Sequence, residues 1–244
     1  MVLKVLGSSS NGNCYILDGG DEALIIEAGI KFQEVKKALD FNLRKVRGCL
    51  VSHQHNDHAK YLKAMADAGL VVMALADVYE AKGVLPGNRS IVIGGNMQGY
   101  RLGNFYVKPY MAEHDVPCLG FLVQHPACGR VMFLTDSCRC DYIFPGLDQV
   151  MIECNYSHAK LMQAITEGRT KASQRERLLA SHLELDECKA VLQANDLNKV
   201  ANIVLLHLSD NNSDEELFVK TIQRATGKAV YAAKPGLEIE FNKL

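Results

Sequence analysis

The sequence predicts an α/β fold in which two mixed sheets are flanked by helices. Short apolar runs separated by turn residues fill the first half, and strand-like runs alternate with helical patterns in the second half. The 244 residues are 48% hydrophobic, which is enough for a substantial core. Since the sequence contains neither a recognisable linker nor an internal repeat, we expect a single domain over residues 1–244.

The composition limits the classes of function. A formal net charge of −1 argues against a basic protein that coats nucleic acid, so any nucleic-acid site must be local. The sequence has no apolar stretch near the length of a membrane span, and its first residues lack the apolar region of a signal peptide. The eight cysteines are scattered, without the C-x-x-C spacing of structural zinc sites. We therefore expect a cytoplasmic protein with reduced cysteines and no membrane association.

The first half opens with an antiparallel set of strands, because three short runs are separated by Gly, Ser and Asn turns. A helix follows, and after a polar loop at residues 53–58 come two helices and further strands. The last three strands form an antiparallel set, with Gly94-Gly95-Asn96 as a turn. Predicted strands cover residues 2–6, 14–17, 23–26, 48–52, 71–73, 90–93, 97–102 and 105–110, and predicted helices cover residues 32–39, 59–67 and 75–82.

In the second half, strands and helices alternate. Residues 119–124 and 130–134 form a predicted hairpin, and residues 149–152 form a further strand. Residues 203–206, the most apolar run, make another strand within a region that is otherwise mainly helical. The run Ser213-Asp214-Glu215-Glu216 has the form of a capping box, so a helix over residues 214–225 should end before Gly227.

A hexapeptide with three histidines, His53-Gln54-His55-Asn56-Asp57-His58, follows the buried strand at residues 48–52. Residues two apart in an extended segment point to the same side, so His53 and His55 can bind one metal ion together. The chain then turns toward a helix, which directs Asp57 and His58 toward a second ion nearby. The alternative interpretation is a polar surface loop.

This H-x-H-x-D-H pattern resembles the first metal signature of the metallo-β-lactamase fold. The runs Leu6-Gly7-Ser8-Ser9-Ser10-Asn11-Gly12-Asn13-Cys14 and Ile25-Ile26-Glu27-Ala28-Gly29 resemble the opening of the YycJ/WalJ-like group of small nucleases. The resemblance covers nearly the whole chain and implies an αββα sandwich. One departure is Glu27, which stands where an aspartate commonly braces the metal loop. A second is the short interval from Asp136 to His207, which leaves no room for a large cap domain and implies an open cleft.

The resemblance implies a two-metal site with ligands beyond the hexapeptide. It makes His114 the third histidine of the first ion and Asp136 the carboxylate that bridges both ions, and it makes His207 the last ligand of the second ion. A histidine after a strand usually has no special role, and an aspartate there often forms a turn. The implied ions are two divalent cations, zinc or manganese with iron as a further option. The predicted ligands are His53, His55, Asp57, His58, His114, Asp136 and His207.

Two further features concern the substrate. His182 matches a histidine that contacts the phosphate in phosphodiesterases of this fold, so we predict that it donates a proton and is catalytic together with Asp57. The alternative is a histidine that caps a helix. Residues 168–177 form a basic run, and we predict that Arg175 and Arg177 bind the substrate backbone, with a solvated face as the alternative.

These features predict a metal-dependent phosphodiester hydrolase with a two-metal-bound hydroxide as the nucleophile. The resemblance implies a nuclease, specifically an exonuclease on ends of single-stranded DNA or RNA, so nucleic acid is the expected partner. The alternatives are a small-molecule phosphodiesterase or another metallo-hydrolase of this fold, and a metal-bound binding module without turnover. In a nuclease, replacing His182 should lower the rate and replacing the basic run should lower the affinity. The sequence leaves the oligomeric state open.

Overall fold

Two seven-stranded sheets pack against each other in the computed structural model, which describes residues 1–94 and 97–244. The strands are β1 (Val2–Ser9), β2 (Gly12–Asp18), β3 (Ala23–Ile26), β4 (Val46–Leu50), β5 (Val72–Leu75), β6 (Ser90–Ile93), β7 (Tyr100–Leu102), β8 (Phe105–Ala112), β9 (Cys118–His125), β10 (Gly129–Leu134), β11 (Gln149–Glu153), β12 (Asn202–Leu206), β13 (Ala229–Ala232) and β14 (Glu238–Glu240).

Helices follow or connect many of these strands. The α-helices are α1 (Phe32–Ala38), α2 (Asn56–Ala59), α3 (Leu62–Asp67), α4 (Ala76–Ala81), α5 (His158–Thr166), α6 (Arg175–Ser181), α7 (Leu185–Ala194) and α8 (Glu215–Thr226). Short 3-10 helices lie at Leu43–Lys45 and Ala172–Gln174. The αββα sandwich implied by the sequence is confirmed.

Each sheet has a parallel part and an antiparallel part. The first sheet has the strand order β14-β1-β2-β3-β4-β5-β6, and β3 to β6 are parallel. The second has the order β13-β12-β11-β10-β9-β8-β7, and β10 to β13 are parallel. Loops after parallel strands gather at the carboxyl edge of a sheet, where α/β proteins bind ligands. Here the loops after β3, β4, β10, β11 and β12 meet at one edge of the sandwich.

Two apolar cores hold these layers together. The first lies between the sheets, where the rings of Tyr15 and Phe133 meet edge to face with centroids 5.6 Å apart. The second lies between the second sheet and α7 and α8, where Phe218 and Ile222 of α8 are fully buried. The carboxyl edge is therefore built on two rigid, well-packed sheets.

The C-terminal helix α8 agrees with its sequence signals, with one shift. Its capping residue is Asp214 and not Ser213, because the Asp214 carboxylate accepts a hydrogen bond from the Leu217 N–H at 3.1 Å. Gly227 ends the helix in the left-handed conformation, with φ of 68°.

Other predicted elements need correction. The strand at residues 90–93 does not pair with the two that follow it; it pairs in parallel with β5 in the first sheet, whereas β7 and β8 belong to the second. The chain changes sheets between them, and periodicity within a strand carries no information about its partner. Of the predicted turn, Gly95 and Asn96 lie outside the described residues. The helix at 59–67 is two helices, α2 and α3, and the sequence reading missed β13 and β14.

The described residues include no helix that combines the length and apolar character needed to cross a bilayer. All eight cysteines are free thiols, as the scattered spacing predicts.

Candidate metal centre

The predicted ligands all lie at the carboxyl edge of the sandwich. The hexapeptide follows β4, and its last residues begin the short helix α2. His114 follows β8, Asp136 follows β10, and His207 follows β12. Strand ends of both sheets thus bring residues together that are up to 154 positions apart in the chain.

Three residues at this edge have backbone conformations that L-amino acids rarely adopt. Glu27, Asp136 and His207 have φ of 71°, 45° and 52°. Residues held in this left-handed region cost of order 1–3 kcal/mol each and concentrate at functional sites. The strain turns the chain sharply at the end of each strand, so that the side chain points across the edge.

The first donor group consists of three histidines and one aspartate whose ligand atoms lie within 4.8 Å of one another: His53, His55, His114 and Asp136. The Nδ1 atom of His55 lies 3.1 Å from Nε2 of His53 and 3.3 Å from Nε2 of His114. The Asp136 Oδ2 atom lies 3.7 Å from Nε2 of His53. All four donor atoms therefore face one common point.

The second donor group shares Asp136 and adds Asp57, His58 and His207. The Nε2 atom of His58 lies 3.2 Å from Asp57 Oδ2 and 3.4 Å from Asp136 Oδ2. The Nε2 atom of His207 lies 3.3 Å from Asp57 Oδ2. The structure thus brings all seven predicted ligands together, in the expected division around Asp136, while their role as ligands stays a prediction.

The charges of the site suit a bound cation. Burial lowers the pKa of His53 well below its usual value, so its ring is neutral and has a lone pair for a metal. Burial opposes ionisation of Asp136, but His207 and His58 outweigh it and hold the pKa of that carboxyl well below its usual range. A neutral imidazole such as that of His53 and an ionised carboxylate such as that of Asp136 are donors that zinc, manganese and iron accept. Burial opposes protonation of His58 too, but Asp136 and Glu27 outweigh it and raise the pKa of that ring, so an ion bound there would displace its proton. The donor chemistry therefore fits a divalent metal.

Glu27 supports the metal loop from inside the protein. Its side chain is fully buried, and its Oε2 atom accepts a hydrogen bond from the Ser52 N–H at 3.3 Å. Its Oε1 atom lies 3.5 Å from Nδ1 of His58. A carboxylate behind a ligand histidine fixes the ring so that the other nitrogen faces the metal. The longer side chain of glutamate therefore still reaches the loop.

The N-terminal motif packs directly against the same loop. A Cβ atom at Gly29 would lie 1.6 Å from the Asp57 carbonyl oxygen, so only glycine fits there. The Asn13 side chain, fully buried, lies 3.0 Å from Nε2 of His58 and donates a weak hydrogen bond to the Asp57 carbonyl at 3.4 Å. The sequence reading gave Asn13 no role, although it lies within the motif that carries the family resemblance.

His182 is held beside the second donor group by Glu153. Its Nδ1 atom lies 2.7 Å from Glu153 Oε1, and its ring stacks on His207 with centroids 5.4 Å apart and an interplanar angle of 11°. Burial alone would lower the pKa of His182, but the Glu153 carboxylate raises it to about 9. The ring is anchored through Nδ1, which leaves Nε2 for another partner.

Glu153 is a site residue that sequence reasoning missed. It is fully buried at the end of β11 and accepts hydrogen bonds from the N–H groups of Ser137 and Leu183, at 3.0 and 3.2 Å. Its donor atom also lies within 4.8 Å of those of Asp136, His182 and His207. Because its oxygens already accept three hydrogen bonds, we assign it to positioning His182. The available signal was a glutamate that directly follows the apolar residues Val150, Met151 and Ile152.

Asp115 is a second residue that sequence reasoning missed. Its Oδ1 atom lies 3.1 Å from Nε2 of His114 and 3.5 Å from Nε2 of His55. Its other oxygen lies 3.7 Å from the guanidinium of Arg177. Asp115 therefore connects the metal centre to the basic run, and its only sequence signal was its place directly after His114.

The basic run divides into two parts. Arg169 forms an ion pair with Glu167 and donates to the Asn211 carbonyl, so its charge is partly neutralised. Arg175 and Arg177 are exposed on α6, the helix that ends directly before His182. The structure thus places the second part of the run beside the site.

The two remaining histidines have structural surroundings. His125, at the end of β9, is buried and lies 2.9 Å from Glu22 Oε1. His158 is exposed at the first position of α5.

Comparison with known proteins agrees with this description. The family model of the metallo-beta-lactamase superfamily matches residues 9–80, which include the hexapeptide. YhfI of Bacillus subtilis, a metallo-beta-lactamase fold protein, superposes with a TM-score of 0.71 at 17% identity, over 98% of this chain and 99% of that one. The fold and the family match agree: the chain has the metallo-β-lactamase fold, and one edge of it carries donor groups that could hold a divalent metal.

Among proteins of this fold, the sequence is similar to two exodeoxyribonucleases. It is 25% identical to Exodeoxyribonuclease YycJ of Bacillus anthracis, over 97% of this chain and 93% of that protein. It is 22% identical to Exodeoxyribonuclease WalJ of Streptococcus pneumoniae, over 93% of this chain and 88% of that protein. The resemblance to the YycJ/WalJ-like group is therefore confirmed.

Proposed function

We propose that the protein is a two-metal phosphodiester hydrolase that acts as an exonuclease on single-stranded nucleic acid. The observation that carries this proposal is the pair of donor groups that share Asp136, with His182 held beside them. The similarity to two exodeoxyribonucleases supports DNA as the preferred substrate. We also propose that residues 1–244 form one domain, because residues of both sheets contribute to one core.

In this proposal each donor group holds one divalent ion, and Asp136 contributes to both. Such ions supply a nucleophile at neutral pH and stabilise negative charge on a phosphoryl oxygen. The Asp57 side chain is half-buried, and its Oδ2 atom lies 3.2 Å from Nε2 of His58 and 3.3 Å from Nε2 of His207. It therefore fixes the geometry of the second group, and we assign it to the catalytic residues for that reason.

His182 provides the proton for the leaving group. Its Nδ1–H donates to Glu153, so its Nε2 atom is directed away from that carboxylate and can protonate the departing oxygen. Because Glu153 stabilises the protonated ring, the proton is present before cleavage. The stacking contact with His207 keeps the ring plane fixed relative to the second donor group.

Arg175 and Arg177 bind the substrate backbone in this proposal. Both are exposed on the same short helix, whose last residue precedes His182. Arg177 is also drawn toward the metal centre by Asp115. A helix that carries exposed cations next to the proton donor offers a place for the phosphates that flank the cleavage point.

Metal analysis combined with cleavage assays on end-labelled single-stranded DNA and RNA tests this proposal. In His182→Gln we expect the rate to fall by about 100-fold or more, while metal content and substrate affinity are retained. In Arg175→Ala with Arg177→Ala we expect weaker binding and a log–log salt slope reduced by about 1.4.

The same assays distinguish the alternatives. Hydrolysis of bis(p-nitrophenyl) phosphate without cleavage of either oligonucleotide would favour a small-molecule phosphodiesterase. Metal binding and oligonucleotide binding without any turnover would favour a binding module.

A further inference from the structure

A continuous groove runs along β8, away from the metal centre. It consists of three adjoining cavities of about 840, 510 and 310 Å³. The first two share Tyr106, Gln124 and Arg130, and the second and third share Tyr110 and Tyr142. We call it the β8 groove and define it by residues along its length, which are Arg101, Tyr106, Lys108, Arg130, Tyr142 and Lys199.

The largest cavity, at the far end, carries an excess of positive charge. Four cations line it, Arg101, Arg130, Lys199 and Lys243, and none of them forms an ion pair with a carboxylate in the part of the chain that the structure describes. Asp148 and Leu244 also line the cavity. Four cationic side chains against one acidic side chain form a local basic region in a chain of net charge −1, and such a region favours an anionic ligand.

The middle of the groove presents aromatic surface to solvent. Tyr106 is 38% exposed and Tyr142 is 45% exposed. Tyr142 is supported from below, because its ring lies 5.1 Å from that of Tyr110 and stacks on Phe144 at 5.9 Å with an interplanar angle of 16°. The free guanidinium of Arg101 lies 5.9 Å from the Tyr106 ring. Rings beside cations are the combination with which proteins hold unpaired bases and their backbone.

The near end of the groove adjoins the metal centre. The third cavity reaches Glu113, one residue before His114, and Arg177 approaches Asp115, one residue after it. Arg139, Glu113 and Asp141 all line this cavity, and the single guanidinium pairs with both carboxylates, so the near end has one excess negative charge and offers no cation to a phosphate. The groove and the basic run therefore meet at the same ligand histidine.

The length of the groove sets the expected length of the bound strand. The eight residues of β8 span about 27 Å, at about 3.4 Å per residue. At about 3.4 Å per phosphate, this corresponds to about eight nucleotides of stacked single strand. Oligonucleotides of about three nucleotides would not reach the basic cavity.

We propose that the β8 groove binds the single strand that leads away from the metal centre, with bases on Tyr106 and Tyr142 and phosphates on the cations of the far cavity. This inference rests on the proposed nuclease function. It assigns a binding site to the part of the substrate that is not being cleaved. A strand whose end lies at the metal ions and whose body lies in the groove also accounts for cleavage from an end.

The test compares substrates of two lengths in one assay. Metal-loaded wild type, Arg101→Ala with Lys199→Ala, and a control variant would be assayed on single strands of 3 and 15 nucleotides. The control is Lys220→Ala with Arg224→Ala, which removes the same charge from exposed positions on α8. In the groove variant we expect KM for the 15-mer to rise by about 10-fold and its log–log salt slope to fall by about 1.4, with the 3-mer unchanged. The control should resemble wild type on both substrates.

Each of the remaining outcomes would overturn the groove proposal, the nuclease proposal or both. If the groove variant and the control behave alike, or if 3-mer and 15-mer are affected equally, the groove proposal is wrong while the nuclease proposal stands. If wild type cleaves neither strand, both proposals are wrong. If wild type is a dimer by sedimentation and the groove variant is a monomer, the occupant is a second copy of the chain and not nucleic acid.

Discussion

Substitution of Gly29 tests whether the N-terminal motif sets the position of the metal loop. The Cβ atom of an alanine there would lie 1.6 Å from the Asp57 carbonyl oxygen and 2.6 Å from the Asn13 backbone nitrogen. Real Cβ contacts stay above 3.0 Å, so the Asp57 backbone must move by at least about 1.4 Å. Both neighbours are backbone atoms, and neither can move away by a change of rotamer.

A displacement of this size has a large expected effect on activity. A misplacement of about 1 Å can lower the rate about 100-fold, and an overpacked site costs about 1–3 kcal/mol of stability. In Gly29→Ala we therefore expect kcat/KM for a phosphodiester substrate to fall about 100-fold and metal affinity, measured by chelator competition, to fall with it. The control is Gly87→Ala, because a Cβ at Gly87 meets no atom within 4 Å. Wild-type metal affinity and activity in Gly29→Ala would refute the proposed support of the loop.

Three further predictions address individual side chains. Asp57→Ala should abolish hydrolysis while the circular dichroism spectrum is retained, and unchanged turnover would remove Asp57 from the site. Glu153→Gln should lower kcat by about 10- to 100-fold through the loss of His182 orientation, with the metal content unchanged; an unchanged kcat would contradict this role. Burial raises the pKa of Glu22, but hydrogen bonds, chiefly from His125, outweigh it and lower that pKa to about 2. The ionised Glu22 carboxylate therefore contributes about 1–2 kcal/mol to the free energy of unfolding after solvent screening. This contribution is fully present above about pH 4.5 and is lost as the pH falls to about 2. In Glu22→Gln the free energy of unfolding should depend less on pH across that interval than in wild type. A pH dependence parallel to that of wild type would exclude the effect.

The fold was largely predictable because its strands are short apolar runs with clear turn residues between them. The limits of β3 and β6 agree with the predicted residues, and the signals for α8 are correct to within one residue. Which strands pair with each other was harder to predict from the sequence, as the change of sheet between β6 and β7 shows. Strands β13 and β14 are short and carry exposed residues, so apolar periodicity gives little signal for them.

The residues of the site were likewise predictable where they are neighbours in the sequence, and less so where only folding brings them together. The hexapeptide is visible in the sequence because its residues are neighbours, and the family resemblance supplied His114, Asp136 and His207. Glu153 and Asp115 were missed because their roles depend on partners that only folding brings close. Glu153 acts on His182 from 29 positions away, and a lone glutamate at a strand end has many ordinary explanations.

Whether the protein binds two metal ions can be seen in an anomalous-scattering map of metal-loaded crystals. We expect two peaks at the carboxyl edge of the sandwich. The first should be bound by the histidines at positions 53, 55 and 114, and the second by Asp57, His58 and His207, with Asp136 contacting both. A single peak at saturating metal, or two peaks that are not connected by Asp136, would contradict this expectation.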